Sequence, residues 1–234
     1  MKTFQPFSSS FSRPKKTFFK TVVLLLSFAL FFSFAACKKK TNYFDYVSEL
    51  RSNIFLAESD DFSLRIYAVN KETPYVTDGI KKEVSTLTEV YLTAPSGNQE
   101  YSLFFTVNGR DYGGELSFDN VKAEYYFSCT LDVSQLSSIE CRIQSSEEKI
   151  TLTATSVLTS ATLSPKTVLK NLQTAESELF SSLTDKYGFA GEIYIRLIYE
   201  DSPYYYVGVI DRESHIHAFL INAETGKILA RRQS

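Results

Sequence analysis

His215 and His217 are the only two histidines of the chain, one residue apart, and Asp211 and Glu213 shortly precede them. Side chains alternate along a strand, so an extended backbone puts both imidazoles on one face. Two imidazoles and a carboxylate form a donor set suited to a divalent metal. The same residues also read as a polar turn facing solvent, and no second ligand pair is spaced to complete a site, so no metal is assigned. Nucleophilic catalysis needs a base beside a serine or cysteine. No serine stands in a Gly-x-Ser-x-Gly elbow, and no glycine loop is patterned to hold a phosphate. Cys129 and Cys141 lie in apolar, strand-like segments, where a thiol's pKa rises and its reactivity falls. The pairs Asp60-Asp61 and Glu147-Glu148 are adjacent residues, which diverge on a strand, and both look like hairpin turns. Two distant carboxylates of a glycosidase would leave no local signature. The residues therefore name no catalytic group and call for no cofactor.

Two further groups carry contact or covalent chemistry. Tyr204-Tyr205-Tyr206 places Tyr204 and Tyr206 on one strand face and Tyr205 on the other. One face can pack on a helix while the other shows aromatic surface suited to protein or glycan contact; cross-strand pairing inside the sheet is the alternative. Cys129 and Cys141 sit in segments 123–131 and 138–144, close enough in sequence to meet across a loop. A disulfide there would contribute about 3 kcal/mol. Two buried thiols behaving as small apolar side chains are the other reading, and both stay open.

These residues need elements to hold them. From Tyr43 to Val157 the chain reads mostly as strand. Residues 62–69 alternate and then run apolar, and segments 91–93, 101–107, 125–131, 139–143 and 150–157 follow between turn clusters. Asn108-Gly109 predicts a type I′ hairpin, because both residues accept positive φ. Gly113-Gly114 predicts a bulge or bend in the returning strand. At Ser164 the pattern changes. Ser164 suits an N-cap, Pro165 the first helical position, and Val168, Leu172, Ala175, Leu179 and Leu183 form one apolar stripe, with Gly188 expected beyond the C-terminus. Strands are expected at 193–199, 204–210 and 216–221, with a short one at 228–230. The expected fold is all-β plus α+β: an antiparallel β-sandwich over residues 43–162, then a small helix-on-antiparallel-sheet domain over 163–234.

The start of the chain carries different information. Residues 21–36 form an apolar run, preceded by Lys2, Arg13, Lys15, Lys16 and Lys20 with no acidic residue, and followed by Cys37 and Lys38-Lys39-Lys40. That order is the order of a secretory signal peptide. Ser33-Phe34-Ala35-Ala36-Cys37 resembles the bacterial lipobox, with Phe34 where Leu, Val or Ile is usual. The resemblance implies a thioether-linked diacylglycerol on Cys37, cleavage before it to remove residues 1–36, and a tether over residues 37–42. Two acyl chains bury methylenes at about 0.8 kcal/mol each, so the protein would be held firmly at the extracytoplasmic face of the cell membrane. Leaving out the five basic residues ahead of Cys37 gives 20 Lys and Arg against 27 Asp and Glu, a net of −7. So acidic a body argues against nucleic acid as a partner.

Leu131-Asp132-x-Ser134-x-Leu136 looks like the edge-crossing turn of immunoglobulin-like sandwiches, although the chain has no Trp. Residues 163–231 resemble the PepSY-like domains of bacterial envelope proteins. The likeness lies in the helix-then-strands order, in Tyr205-Tyr206-Val207-Gly208-Val209, and in Ile221-Asn222-Ala223-Glu224-Thr225-Gly226-Lys227-Ile228, with Asn222 where Asp is usual. It implies a module that binds or restrains a peptidase, or a non-catalytic envelope module. The expected role is a membrane-anchored, non-catalytic module that binds an envelope protein or peptide. A cell-envelope hydrolase or metal-dependent enzyme, and a purely structural envelope protein, are the alternatives.

Overall fold

Residues 41–95 and 99–234 are the described part of the computed structural model; Cys37, the segment before it and turn residues 96–98 lie outside that part. After a 3₁₀ turn at Tyr43–Tyr46 come β1 (Val47–Glu58), β2 (Ser63–Glu72), β3 (Val84–Thr93), β4 (Ser102–Val107), β5 (Arg110–Glu115), β6 (Ser117–Asp119), β7 (Glu124–Cys129), β8 (Ser138–Gln144) and β9 (Lys149–Ser156). Helices α1 (Pro165–Ala175) and α2 (Ser177–Ser182) follow, then the two-residue strands β10 (Thr184–Asp185) and β11 (Gly188–Phe189). β12 (Gly191–Tyr199), β13 (Pro203–Asp211), β14 (Ile216–Asn222) and β15 (Ile228–Gln233) complete the chain. Among the described residues the protein is mainly antiparallel β with two short helices.

Strands β1 to β9 wrap into a nearly closed barrel. β1 pairs with β2, β2 with β3 and β3 with β7. β5 and β6 are two halves of one bent segment, the first paired with β4 and the second with β7. β4 pairs with β8, β8 with β9, and Phe55 and Leu56 of β1 with Ser156 and Thr155 of β9. Alternation fills the interior. On β8 only Ile139, Cys141 and Ile143 are buried, and they meet Phe55, Leu64, Ile66, Val90, Leu92, Leu103, Phe105 and Tyr125. Each fully buried aliphatic or aromatic side chain contributes about 1.5–3 kcal/mol.

The Asn108-Gly109 turn has φ of 51° and 75° and joins Val107 to its partner Arg110, as a type I′ hairpin requires. The two glycines that follow make no bulge, since the β4–β5 register runs unbroken. Gly113 is needed for closeness instead: at φ +140°, a Cβ there would stand 2.0 Å from the Leu103 carbonyl oxygen.

β1 also carries the same sheet on beyond the barrel. Val47–Arg51 pair in parallel with Ile193–Arg196 of β12, and β12, β13, β14 and β15 continue antiparallel from there. Helix α1 lays Val168, Leu169 and Leu172 on this sheet, against a core that includes Ile193, Ile195, Leu197, Tyr205, Val207, Val209, Phe219 and Ile221. Ser164 caps the helix by accepting the Thr167 N–H at 3.2 Å, with Pro165 in the first turn. The apolar stripe does not make one helix. Glu176 leaves helical geometry at φ −114°, ψ 39°, and α2 restarts after it, turning Phe180 into the core. Gly188 is no helix cap; it sits in the β10–β11 hairpin, where a Cβ would come within 2.7 Å of the Tyr46 hydroxyl.

The Asn222–Lys227 turn is built on one side-chain oxygen. Asn222 Oδ1 accepts the Glu224 N–H at 3.1 Å, the Thr225 N–H at 2.8 Å and the Thr225 hydroxyl at 2.9 Å. Gly226 follows at φ +71°. An acceptor is all the position requires, so Asn222→Asp is expected to unfold with wild-type stability in urea. Asn222→Ala is expected to lose about 1 kcal/mol, as for a lost hydrogen-bonded turn.

Candidate functional site

The histidines do not converge. His215 Nδ1 lies 2.9 Å from Asp211 Oδ2, and the His215 N–H donates to Asp211 Oδ1 at 2.9 Å. Donor atoms of Asp211, Glu213 and His215 fall within 4.8 Å of one another on this exposed turn. His217 is set apart in β14, paired with Val209 and Gln233. Asp211 is already used as the clasp of the turn, and the His215 ring is 60 % exposed, so the cluster acts as turn chemistry.

Cys129 and Cys141 are both free thiols. β7 has β3 and β6 as neighbours, β8 has β4 and β9, so the strands carrying the two cysteines never pair. Cys141 is buried in the barrel core and Cys129 is half-buried against it. Burial pushes the Cys141 thiol up to about 12, which keeps it protonated and inert.

The tyrosine triplet divides between two faces. Tyr205 is 1 % exposed in the second core, its hydroxyl donating to the Leu163 carbonyl at 2.9 Å. Tyr206 stacks on Tyr194 of β12 at 5.7 Å on the opposite side of the sheet. Gly208, cross-strand partner of Tyr194, leaves room for that ring, since a Cβ there would stand 2.1 Å from it.

Tyr206 and Tyr194 open a row of aromatic and charged groups that runs across the sheet. Arg196 stacks on the Tyr194 ring at 4.4 Å and gives its Nε hydrogen to Glu49 Oε2 at 2.8 Å. Arg51, in register with Arg196, lies 4.1 Å over the Tyr67 ring. Tyr67 is 5.4 Å from Tyr91, and Tyr91 is 5.2 Å from Tyr126. Lys71 pairs with Glu89, whose other oxygen accepts the Tyr91 hydroxyl at 3.4 Å. Burial first, then neighbouring carboxylate and phenol groups, drive the Tyr91 phenol well above its ordinary range. It is a donor and a contact surface, not a base. At the β7 end the row borders a cavity of about 300 Å³ lined by Tyr91, Tyr126, Phe118, Asp119, Lys122 and Glu124. Glu124 is held by Arg65, and Asp119 caps the turn at Val121 and Lys122. Among the described residues Lys122 forms no ion pair, and it stands 5.9 Å over Tyr91.

Sequence patterning missed a second group on this sheet. Glu72 and Glu192 are 1 % and 0 % exposed, at the ends of β2 and β12. Residues 73–83, which link β2 to β3 without regular structure, form a strap over them. A Cβ on Gly79 of the strap would meet the Asp211 carbonyl oxygen at 2.1 Å, which marks how closely the strap lies on the end of β13.

No known protein family, characterised protein or solved structure matches the chain. Among the described residues no helix is long and apolar enough to cross a membrane.

Proposed function

We propose that this chain is a lipid-anchored, extracytoplasmic envelope protein that works by binding and not by catalysis, presenting the tyrosine-lined sheet face to a protein or peptide partner. Cys37 is the lipid-attachment residue in this reading, and the membrane is reached through its acyl chains. The β1–β9 barrel takes the place of an immunoglobulin-like sandwich, and residues 163–234 that of a PepSY-like module. The helix laid on β12–β15 and the Asn222–Lys227 turn support the second assignment.

The observation that carries the binding role is the row from Tyr206 to Tyr126, with arginines stacked on its rings. Tyrosine and arginine are the residues that dominate interface energetics. Rings already held by neighbours lose little freedom when a partner covers them. The net charge of −7 after Cys37 speaks against nucleic acid as that partner.

Two measurements test the reading. Intact mass of protein extracted from membranes is expected to show a chain starting at a diacylated Cys37, a mass lost in Cys37→Ser. For the face, a photocrosslinker at position 122 is expected to capture one partner in intact cells, where one at exposed position 170 of α1 captures none. Combined Tyr91→Ala and Tyr126→Ala should lower capture about tenfold or more. Equal capture from both positions, or capture indifferent to the two tyrosines, would defeat the binding assignment.

A further inference from the structure

The charges along the tyrosine row do not cancel. Three of its carboxylates are each matched to a cation: Glu49 to Arg196, Glu89 to Lys71 and Glu124 to Arg65. Asp119, at the cavity, has no cation but is taken up by its own turn, where Oδ1 accepts the Val121 N–H at 2.9 Å and the Lys122 N–H at 3.2 Å. Two cations are left over. Arg51 is half-buried; its Nη1 donates to the Leu197 carbonyl at 3.5 Å, and its Nε is buried with no partner. Lys122 is exposed on the turn between β6 and β7. Among the described residues neither forms an ion pair. Each rests over a ring instead, Arg51 at 4.1 Å from the Tyr67 centroid and Lys122 at 5.9 Å from that of Tyr91.

A cation over a ring face is still a full positive charge, and half burial strengthens what Arg51 gains from an anion brought to it. The chain beyond Cys37 is otherwise acidic, at a net of −7. An acidic ligand is therefore repelled by the molecule at large and drawn to this row. The spacing says what kind of acidic ligand. Steps of 4.1, 5.4 and 5.9 Å lead from Arg51 to Lys122 across the Tyr67 and Tyr91 rings. An extended peptide advances about 3.4 Å per residue and turns alternate side chains to one face. A segment of about five residues covers the span, its first, third and fifth side chains facing the row. A compact anion reaches one cation and leaves the rings bare.

We propose, on the binding role already assigned to this face, that the tyrosine row docks an extended acidic segment of a partner polypeptide. One carboxylate of the segment sits on Arg51 and a second on Lys122. An aromatic or apolar side chain between them lies on Tyr67 and Tyr91. Each carboxylate gains a charge-assisted contact. The other cations of the row cannot offer one without giving up Glu49, Glu89 or Glu124. The two free cations set the register and orientation of the segment, and the rings supply the contact area.

Capture of short biotinylated peptides reads this directly. The full chain, held in detergent, carries a photocrosslinker in place of exposed Ser128, the cross-strand partner of Glu89. The peptide Glu-Ser-Phe-Ser-Glu is expected to be captured about fivefold or more better than Gln-Ser-Phe-Ser-Gln, and Lys-Ser-Phe-Ser-Lys no better than background. Arg51→Gln and Lys122→Gln should each lower capture of the Glu peptide about twofold or more, and leave the Gln peptide as it was. Lys122 is on an exposed turn, so its variant keeps the fold whatever Arg51→Gln does. Lys170→Gln, on α1, should change nothing. Raising sodium chloride from about 50 mM to about 300 mM should shrink the preference for the Glu peptide. Equal capture of the Glu and Gln peptides, or a preference undiminished by Lys122→Gln, would overturn the proposal. So would displacement of the Glu peptide by dextran sulfate but not by polyglutamate, since the occupant would then be an anionic glycan. Tyr91→Ala should lower capture of the Glu and Gln peptides alike. That ring effect without a Glu preference would sink the acidic segment and keep the binding role; capture of neither peptide would sink both.

Discussion

Phe55→Ala is expected to lower stability by about 3–5 kcal/mol, and to do so in a single cooperative unfolding step. Phe55 is 0 % exposed at the seam where β1 meets both β2 and β9. Removing the ring loses its transfer energy and leaves a cavity that the paired strands cannot collapse to fill. The single step follows from the dual membership of β1. Its neighbour Ile54 belongs to the helix-covered core, while Phe55 belongs to the barrel. Leu172→Ala, placed in the other core, should therefore shift the same transition. Urea unfolding followed by far-ultraviolet circular dichroism and by tyrosine fluorescence checks this. Two separated transitions, or a Leu172→Ala effect seen by one probe alone, would contradict it.

Arg196→Met is expected to cost about 3 kcal/mol, and a second change, Glu49→Leu, to recover most of that loss. Glu49 is 6 % exposed, and Arg196 donates to its Oε2 through both Nε and Nη2. Taking away the guanidinium strands a buried negative charge, and that stranding, more than the ion pair's net worth, is what the single variant measures. Removing both charges leaves two apolar side chains of similar volume. A double-mutant cycle in urea gives the coupling directly. If the double variant is less stable than Arg196→Met alone, Glu49 is not the group that Arg196 compensates.

Local chemistry was legible in the residues themselves. Asn108-Gly109 announces its turn because few other residues accept positive φ at both positions. Ser164-Pro165 announces a helix start because the cap and the fixed φ of proline act within one turn. The alternation of Ile193, Ile195 and Leu197 with Glu192, Tyr194 and Arg196 identifies a two-faced strand. Each of these signals is carried by neighbours a few residues apart, and their physics is complete at that range.

What the tertiary structure decided involves partners far apart in the chain. Alternation marks Glu192 as polar, yet the fold leaves it 0 % exposed, its carboxylate accepting the hydroxyl of Ser48 from more than a hundred residues earlier. Cys129 and Cys141 lie near each other in sequence, yet their strands take different neighbours, so no bridge joins them. β1 reads as one strand, and nothing within it tells that its first half pairs with β12 while its end closes the barrel on β9. Side-chain pattern sets which face of a strand is apolar; which strand lies alongside is settled only when the chain as a whole finds the arrangement that buries those faces and satisfies the backbone bonds at their edges.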